Sequence, residues 1–381
     1  MILFINKRFN NRNGAEKSGS DVVNSLLKAN ADLALLYIDI NNNFNDIINY
    51  KNISILKSPL YKLKINTFSF KEIYDFIESK IFDKIRFKKI KSLKINYIIA
   101  NSLSSEYYAK KLAKSLNVKC CLIVRESPDF YKNPNKTVNR IHYFDQIIFV
   151  SSNVMKDWIS ILPDLKTKSK YIPNTINESS IDKIINKRKS YFQRKLNFNN
   201  NDINIVIVGK FLTRKNQSIV INNLEQFHKI NEKIKFHFIG KNFNSYGYQM
   251  KKILRKTKYN EMVRLHGFKK NVLEYIYASD YLILTALAEA SPRVLYEAML
   301  LKTLIISSEV GGASELIKHE KTGYLYEKNN VKDLLFNFKK ALNSDNYNSM
   351  VKESNEFYHN TYSNEIHQKN YKNLYKLLKT I

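Results

Sequence analysis

Cysteine is nearly absent from this chain of 381 residues: Cys120 and Cys121 are its only two, and they are adjacent. Neighbouring cysteines do not meet disulfide geometry, so a disulfide framework is excluded and a reducing compartment is the default. Long apolar runs are missing as well. No stretch approaches the ~18 consecutive apolar residues of a membrane span. The apolar run in "MILFINKRFN" is too short for a signal peptide, and its charges follow that run. These absences point to a cytoplasmic protein, held at most on a membrane surface. Acidic residues are also scarce: 34 Asp and Glu against 63 Lys and Arg give a formal net charge of +29. Two readings of that surplus stand side by side. One is an anionic partner (nucleic acid, acidic lipid or phosphorylated substrate), and the other is the Lys-, Asn- and Ile-rich usage of an AT-rich genome.

Glycine is sparse, and none of the nine forms G-x-G-x-x-G or G-x-x-x-x-G-K-[ST], which argues against a dehydrogenase and a P-loop NTPase. No Asp-x-Asp pair occurs and the seven histidines lack ligand spacing, so no dedicated divalent metal site is expected. Nor does any Gly-x-Ser-x-Gly elbow indicate a hydrolase.

What is present is a folded α/β pattern. Hydrophobic content of 44% and aromatic content of 13% belong to a globular protein long enough for two domains. "MILFIN", "DLALLYIDI", "NYIIA", "KCCLIV", "QIIFV" and "SKYIP" read as strands separated by helical or loop material. After the first comes a loop with Gly14 and Gly19, then a helix from about Asp21. The alternation restarts with "INIVIVG", "KFHFIG", "VRLHG", "YLILTA" and "TLIISS". Such alternation indicates parallel sheets covered on both faces. The expected organisation is an N-terminal α/β domain over 1–176, a polar, basic linker over 177–202 and a C-terminal α/β domain over 203–360. A final amphipathic helix over 361–381 is expected to pack back on the N-terminal domain.

A basic segment from Lys71 to Lys94 carries Ile73, Ile77, Ile81 and Ile85 at i+4 spacing. It reads either as a helix packed on the first sheet with a solvated lysine face, or as a membrane contact through Lys84, Lys88 and Lys91.

Chemistry concentrates in the second half. "INIVIVGKFLTRKNQS" is a buried strand ending at Gly209, with Lys210 beyond it and Lys215 before a helix. Ligands of open parallel sheets bind outside the carboxyl ends of the strands, where two lysines suit a phosphate or diphosphate. "SSEVGGASELI" closes another strand with Gly311-Gly312 opening a helix. "EASPRVLYE" places Glu289 in a loop and Glu297 on the second turn of a helix, with Ser291 as N-cap and Pro292 in the first turn.

Taken in order, Gly209-Lys210-Phe211 with Lys215, His266-Gly267-Phe268, Glu289 through "VLYEAM" to Met299, and Gly311-Gly312-Ala313-Ser314-Glu315 resemble a known family. It is the retaining nucleotide-sugar glycosyltransferases of family four, and "YIPNTI" is similar to that family's "IPNG" at the domain junction. The resemblance is specific from about Gly209 to Tyr326 and looser over the first domain. It implies the GT-B architecture: two Rossmann-like α/β domains facing across a cleft. It also implies a nucleoside diphosphate sugar as donor, a glycan or lipid-linked acceptor, and no metal or other cofactor.

By resemblance Glu297 holds the ribose hydroxyls and Glu289 the sugar, while Lys210 and Lys215 stabilise the departing diphosphate. A carboxylate suits a vicinal diol because its two oxygens accept two O–H donors. The resemblance extends donor binding to Gly209, His266, Gly267, Phe268, Pro292, Arg293, Val294 and Leu295. In the N-terminal glycine turn, Gly19 and Ser20 are preferred over "NGAEK". Where many members carry a histidine after the strand "CCLIV", this chain has Arg125-Glu126-Ser127-Pro128, and Glu126 is the group available in its place. The family's arginine is Lys210 here, which keeps the charge and loses the bidentate fork.

Two other classes fit parts of the pattern. A nucleotide-sugar epimerase on the same architecture needs acid/base carboxylates or histidines in its cleft. A non-catalytic nucleic-acid-binding protein needs exposed aromatics interleaved with basic residues along a groove. The acidic pair and glycine turns favour a small anionic ligand, so no nucleic acid is expected.

Overall fold

The computed structural model describes residues 1–7, 14–37, 53–57, 87–131 and 140–380. The chain forms two units, Met1–Asn174 with Glu365–Ile381, and Thr175–Asn364.

In the first unit the described residues form a seven-stranded sheet in the order β3-β2-β1-β4-β5-β6-β7. Its strands are β1 (Ile2–Asn6), β2 (Leu33–Tyr37), β3 (Ser54–Lys57), β4 (Tyr97–Ala100), β5 (Lys119–Val124), β6 (Gln146–Phe149) and β7 (Ser169–Tyr171). All pair in parallel. Their cores are continuous apolar runs because helices cover both faces: Leu3, Phe4, Ile98, Ile99, Cys121 and Leu122 are fully buried. The sequence pattern misses β3, a four-residue strand with only Ile55 and Leu56 between two polar ends.

Helix α1 (Gly14–Lys28) starts earlier than the sequence predicts. Gly19 and Ser20 therefore lie inside a helix and not in a turn before Asp21. The reason is packing: a Cβ on Gly19 would stand 2.5 Å from Asn101 Nδ2 and 2.8 Å from Asn6 Nδ2. Glycine thus lets the helix lie directly on the ends of β1 and β4. The C-terminal segment Glu365–Ile381 belongs to this unit, where His367 Nδ1 is 2.8 Å from Ser25 Oγ on α1.

The second unit has a six-stranded parallel sheet, β10-β9-β8-β11-β12-β13. Its strands are β8 (Ile203–Val208), β9 (Ile234–Ile239), β10 (Val263–Gly267), β11 (Tyr281–Leu284), β12 (Leu304–Ser308) and β13 (Tyr324–Tyr326). Here the sequence pattern misses β13. The expected linker over 177–202 is replaced by two helices, α2 (Glu178–Ile185) and α3 (Lys189–Lys195). Ile181, Phe192 and Phe198 from this stretch are buried in the core of the unit. Only a few apolar side chains anchor these helices, which is too weak a stripe to read among so many lysines and asparagines.

The stripe Ile73, Ile77, Ile81 and Ile85, together with Lys84, lies outside the described residues, whereas Lys88 and Lys91 are exposed. Among the described residues no helix is long and apolar enough to cross a membrane.

Candidate active site

Both sheets reverse their strand order once, between β1 and β4 and between β8 and β11, and such a switch point opens a crevice at the carboxyl ends of the strands. In the second unit three loops meet at that crevice. The loop after β8 begins at Gly209, and the stem of Lys215 lies over it, 3.5 Å from where a Cβ would be. Gln217 Nε2 donates to the Lys210 carbonyl at 3.2 Å and closes the turn. The loop after β11 is stitched to the first: Leu287 N donates to the Arg214 carbonyl at 2.8 Å, and Thr285 Oγ1 to that of Lys215 at 2.6 Å. From the loop after β12, Gly312 N donates to the Glu289 carbonyl at 3.1 Å. Separate sequence motifs are thereby joined through backbone bonds.

Glu289 is 8% exposed, and its carboxylate receives the Lys215 ammonium together with Arg214 Nη1 at 3.2 Å. The structure thus pairs the acid and the lysine that the sequence assigns to sugar and diphosphate. Arg214 is the residue that sequence reasoning misses; its one signal is a cation directly before the motif lysine. Lys210 is exposed at the mouth of the same loop.

Helix α4 (Arg293–Leu300) follows Glu289. Its N-cap position is Pro292 and not Ser291, whose hydroxyl is 3.0 Å from the buried Tyr296 hydroxyl instead. Glu297 is on the second turn as expected and is 8% exposed. Among the described residues no hydrogen bond or ion pair engages its carboxylate. A buried carboxylate without a protein partner is costly, and its oxygens keep their capacity to accept hydrogen bonds. Arg293 Nη1 donates to the Thr175 carbonyl at 3.1 Å. Leu295 is fully buried and Val294 packs against the same core. Of these two residues expected at the donor, the side chain of Leu295 is spent on the core, whereas that of Val294 is only partly buried.

His266 and Gly267 end β10. Gly267 has φ +68° with nothing within 4 Å of a Cβ position, and Phe268 is 40% exposed. His266 Nε2 is 3.0 Å from His237 Nδ1. Burial first, then the charges of Lys269 and Arg264, lower the His266 pKa to about 4. Burial first, then His266 and Arg264, lower that of His237 to about 3.

In the first unit, Glu126 follows β5. Its Oε2 accepts from Arg125 N at 3.0 Å, its carbonyl accepts from Trp158 Nε1 at 2.9 Å, and burial pushes its carboxyl pKa upward. Gly19 and Ser20 are in this unit too, on α1 as described. Among the described residues no three His, Cys, Asp or Glu side chains gather as metal ligands do.

Residues 189–363 match the family described as glycosyl transferases group 1. The capsular polysaccharide biosynthesis glycosyltransferase CapH of Staphylococcus aureus is 26% identical over 249 residues, 62% of this chain and 66% of that protein. An uncharacterized glycosyltransferase of Methanocaldococcus jannaschii is 26% identical over 213 residues, 52% of this chain and 53% of that one. The chain thus spans less than two thirds of the length of these relatives. The structure of Anabaena HepE in complex with UDP and glucose superposes with a TM-score of 0.80 at 15% identity, over 100% of this chain and 99% of that one. Within the second unit, residues 189–363 are thus similar to glycosyl transferases group 1, and the whole chain has the α/β fold of the GT-B glycosyltransferases it resembles.

Proposed function

We propose that the protein is a retaining glycosyltransferase that moves a sugar from a nucleoside diphosphate sugar to a glycan or lipid-linked acceptor. The setting proposed is bacterial surface polysaccharide or glycolipid synthesis, in the cytoplasm or at the inner face of the cell membrane. The observation that carries this reading is the pair of buried acids: Glu297, without a protein partner among the described residues, and Glu289, held by Lys215 and Arg214. Glu297 accepts from the ribose hydroxyls, and Glu289 from the transferred sugar. The cations that hold Glu289 also fix the direction of its carboxylate.

Cleavage of the sugar–phosphate bond places negative charge on the terminal phosphate. Lys215 and Lys210, with the backbone N–H groups around Gly312, stabilise that charge as it develops, with no metal taking part. The acceptor attacks from the leaving-group face, and a phosphate oxygen takes its proton. In this reading Glu126 is the group available where many family members carry a histidine, and docking on anionic lipid through the basic stripe near Lys88 and Lys91 accompanies it.

A thermal-shift screen of nucleoside diphosphate sugars tests it: one donor should raise the melting temperature. A panel in which no nucleotide or nucleotide sugar stabilises the protein, while an oligonucleotide does, would replace it with the nucleic-acid reading. Activity should also survive excess EDTA; loss of activity restored by Mg²⁺ or Mn²⁺ would overturn the metal-free mechanism.

A further inference from the structure

Three polar side chains cross the edge of the second sheet on neighbouring strands: Asn204 on β8, His237 on β9 and His266 on β10. His266 is the unmatched residue in β10, because Leu265 pairs with Phe238 and Gly267 with Ile239; a bulge of this kind re-aims a side chain. The hydrogen bonds between the three admit one arrangement of protons. Asn204 Nδ2 donates to the carbonyls of Asn199 at 3.1 Å and Asp202 at 3.2 Å, so both of its N–H groups are used. Its Oδ1, 3.0 Å from His237 Nε2, can only accept, so His237 carries its proton on Nε2. The other nitrogen, Nδ1, is then a bare acceptor, and His266 Nε2 at 3.0 Å must be the donor. In a neutral ring that leaves His266 Nδ1 without a proton.

The surroundings keep both rings neutral. Phe198 stacks on His237 with centroids 3.7 Å apart, and Tyr275 stands edge-on to His266 at 4.9 Å. The cations Arg264 and Lys269 act on the pair, and both disfavour a further positive charge. Among the described residues the His266 ring has no other hydrogen bond. The chain just beyond it borders open space at Gly267 and then presents the exposed ring of Phe268, a surface on which a planar base can stack.

We propose that Asn204 and His237 are positioning residues that fix His266 as the Nε2-protonated tautomer, so that its Nδ1 accepts a ring N–H of the donor nucleobase. The bases that carry such an N–H on their pairing edge are uracil, thymine and guanine. Cytosine and adenine present a lone pair at the corresponding nitrogen and are rejected. This proposal rests on the reading of the second unit as a nucleoside diphosphate sugar site.

The test compares dissociation constants of UDP, GDP, CDP and ADP for the wild-type protein, His237→Phe and His237→Gln. It is combined with long-range proton–nitrogen NMR of the histidine rings. The wild type should prefer UDP or GDP over both CDP and ADP by ~10-fold or more, the usual consequence of leaving a buried partner unpaired. His237→Phe keeps the stack on Phe198 but neither donates nor accepts, and should erase that preference. His237→Gln should restore it, since its amide can donate to Asn204 and accept from His266 Nε2; a purely structural role predicts no such rescue. The NMR spectrum of the wild type should show neutral His266 protonated on Nε2 at pH 7. A proton on Nδ1, or an unchanged preference in His237→Phe, overturns the relay and leaves the nucleotide site standing. Binding of none of the four nucleotides removes that site, and this proposal with it.

Discussion

At the switch point of the first sheet, the ends of β1, β4, β5 and β7 supply Asn6, Asn101, Arg125 and Asn174. Arg125 donates through Nε and Nη2 to Asn101 Oδ1 at 3.0 and 2.8 Å, and through Nη1 to Asn174 Oδ1 at 2.7 Å. Asn101 Nδ2 in turn donates to Asn6 Oδ1 at 3.1 Å. In this cluster the Arg125 guanidinium donates to neutral amides that tie strand ends together, with the Glu126 carboxylate alongside. At the matching point of the second sheet the groups are charged and unevenly matched: Lys215 and Arg214 share Glu289, while Glu297 has no protein partner among the described residues. Matched topology has been used in two ways. In the first unit amides and a guanidinium at the switch point tie strand ends together, and in the second an ion-paired acid lies beside one that has no protein partner among the described residues.

Breaking each cluster should therefore give opposite signatures. The largest effect is expected at Lys215. Lys215→Ala should lower turnover by ~10²–10³ with folding intact, the usual loss on removing one preorganised electrostatic donor. Lys210→Ala should behave likewise, and Lys210→Arg should retain activity. Near-normal turnover with weakened donor binding in both alanine variants would show that the lysines only hold substrate.

Arg125→Ala should act on stability instead. It strands acceptors on Asn101 and Asn174, both buried, at ~1–3 kcal/mol for each unsatisfied group. Urea denaturation should register a loss of ~2–4 kcal/mol, while nucleotide affinity of the folded protein stays unchanged. A stable variant with lost nucleotide binding would invert the comparison.

Glu297→Ala sharpens it from the other side. It should weaken donor binding by ~1.5–3 kcal/mol, the worth of hydrogen bonds to a charged group, without loss of stability, because no protein partner is abandoned. Glu289→Ala should depress turnover more than binding. Calorimetric titration and steady-state kinetics of the two variants separate these roles; wild-type values for both would refute the assignment.

The smallest effect near neutrality is the pH dependence of the histidine pair. His237 and His266 have pKa values of about 3 and about 4 in the folded chain, against ~6.5 when unfolded. As pH falls from ~6.5 toward those values, the unfolded chain binds protons that the native one refuses. Stability is then lost by up to ~1.4 kcal/mol per pH unit for each group, and the full contribution is present above that window. Denaturation series at pH 7, 6 and 5 should show this slope flattened in His237→Gln; an unaltered slope would mean that other groups carry it.

The motif stretches of the second unit were legible because each sits at a strand end with its charge or glycine in a short loop, a local arrangement that spacing reveals. Arg214 was not legible: a cation next to a cation in a lysine-rich chain carries no spacing signal. The helices over 178–195 escaped for a related reason, since their anchoring residues are few and far apart. Gly19 was assigned to a turn because a helix-interior glycine is locally unfavourable, and only the approach of α1 to Asn6 and Asn101 explains its presence there.

The sequence by itself determined the alternation of strands and helices, the repeated α/β order and the residues at the strand ends. Those properties follow from backbone periodicity and from what short loops require. Only the tertiary structure decided which strand ends are neighbours, and hence that Lys215 lies on Glu289, that Glu297 has no partner among the described residues, and that Asn204, His237 and His266 are hydrogen-bonded in a row. Pairing across a parallel sheet joins residues tens of positions apart, and their hydrogen bonds depend on register and burial, which no local pattern encodes.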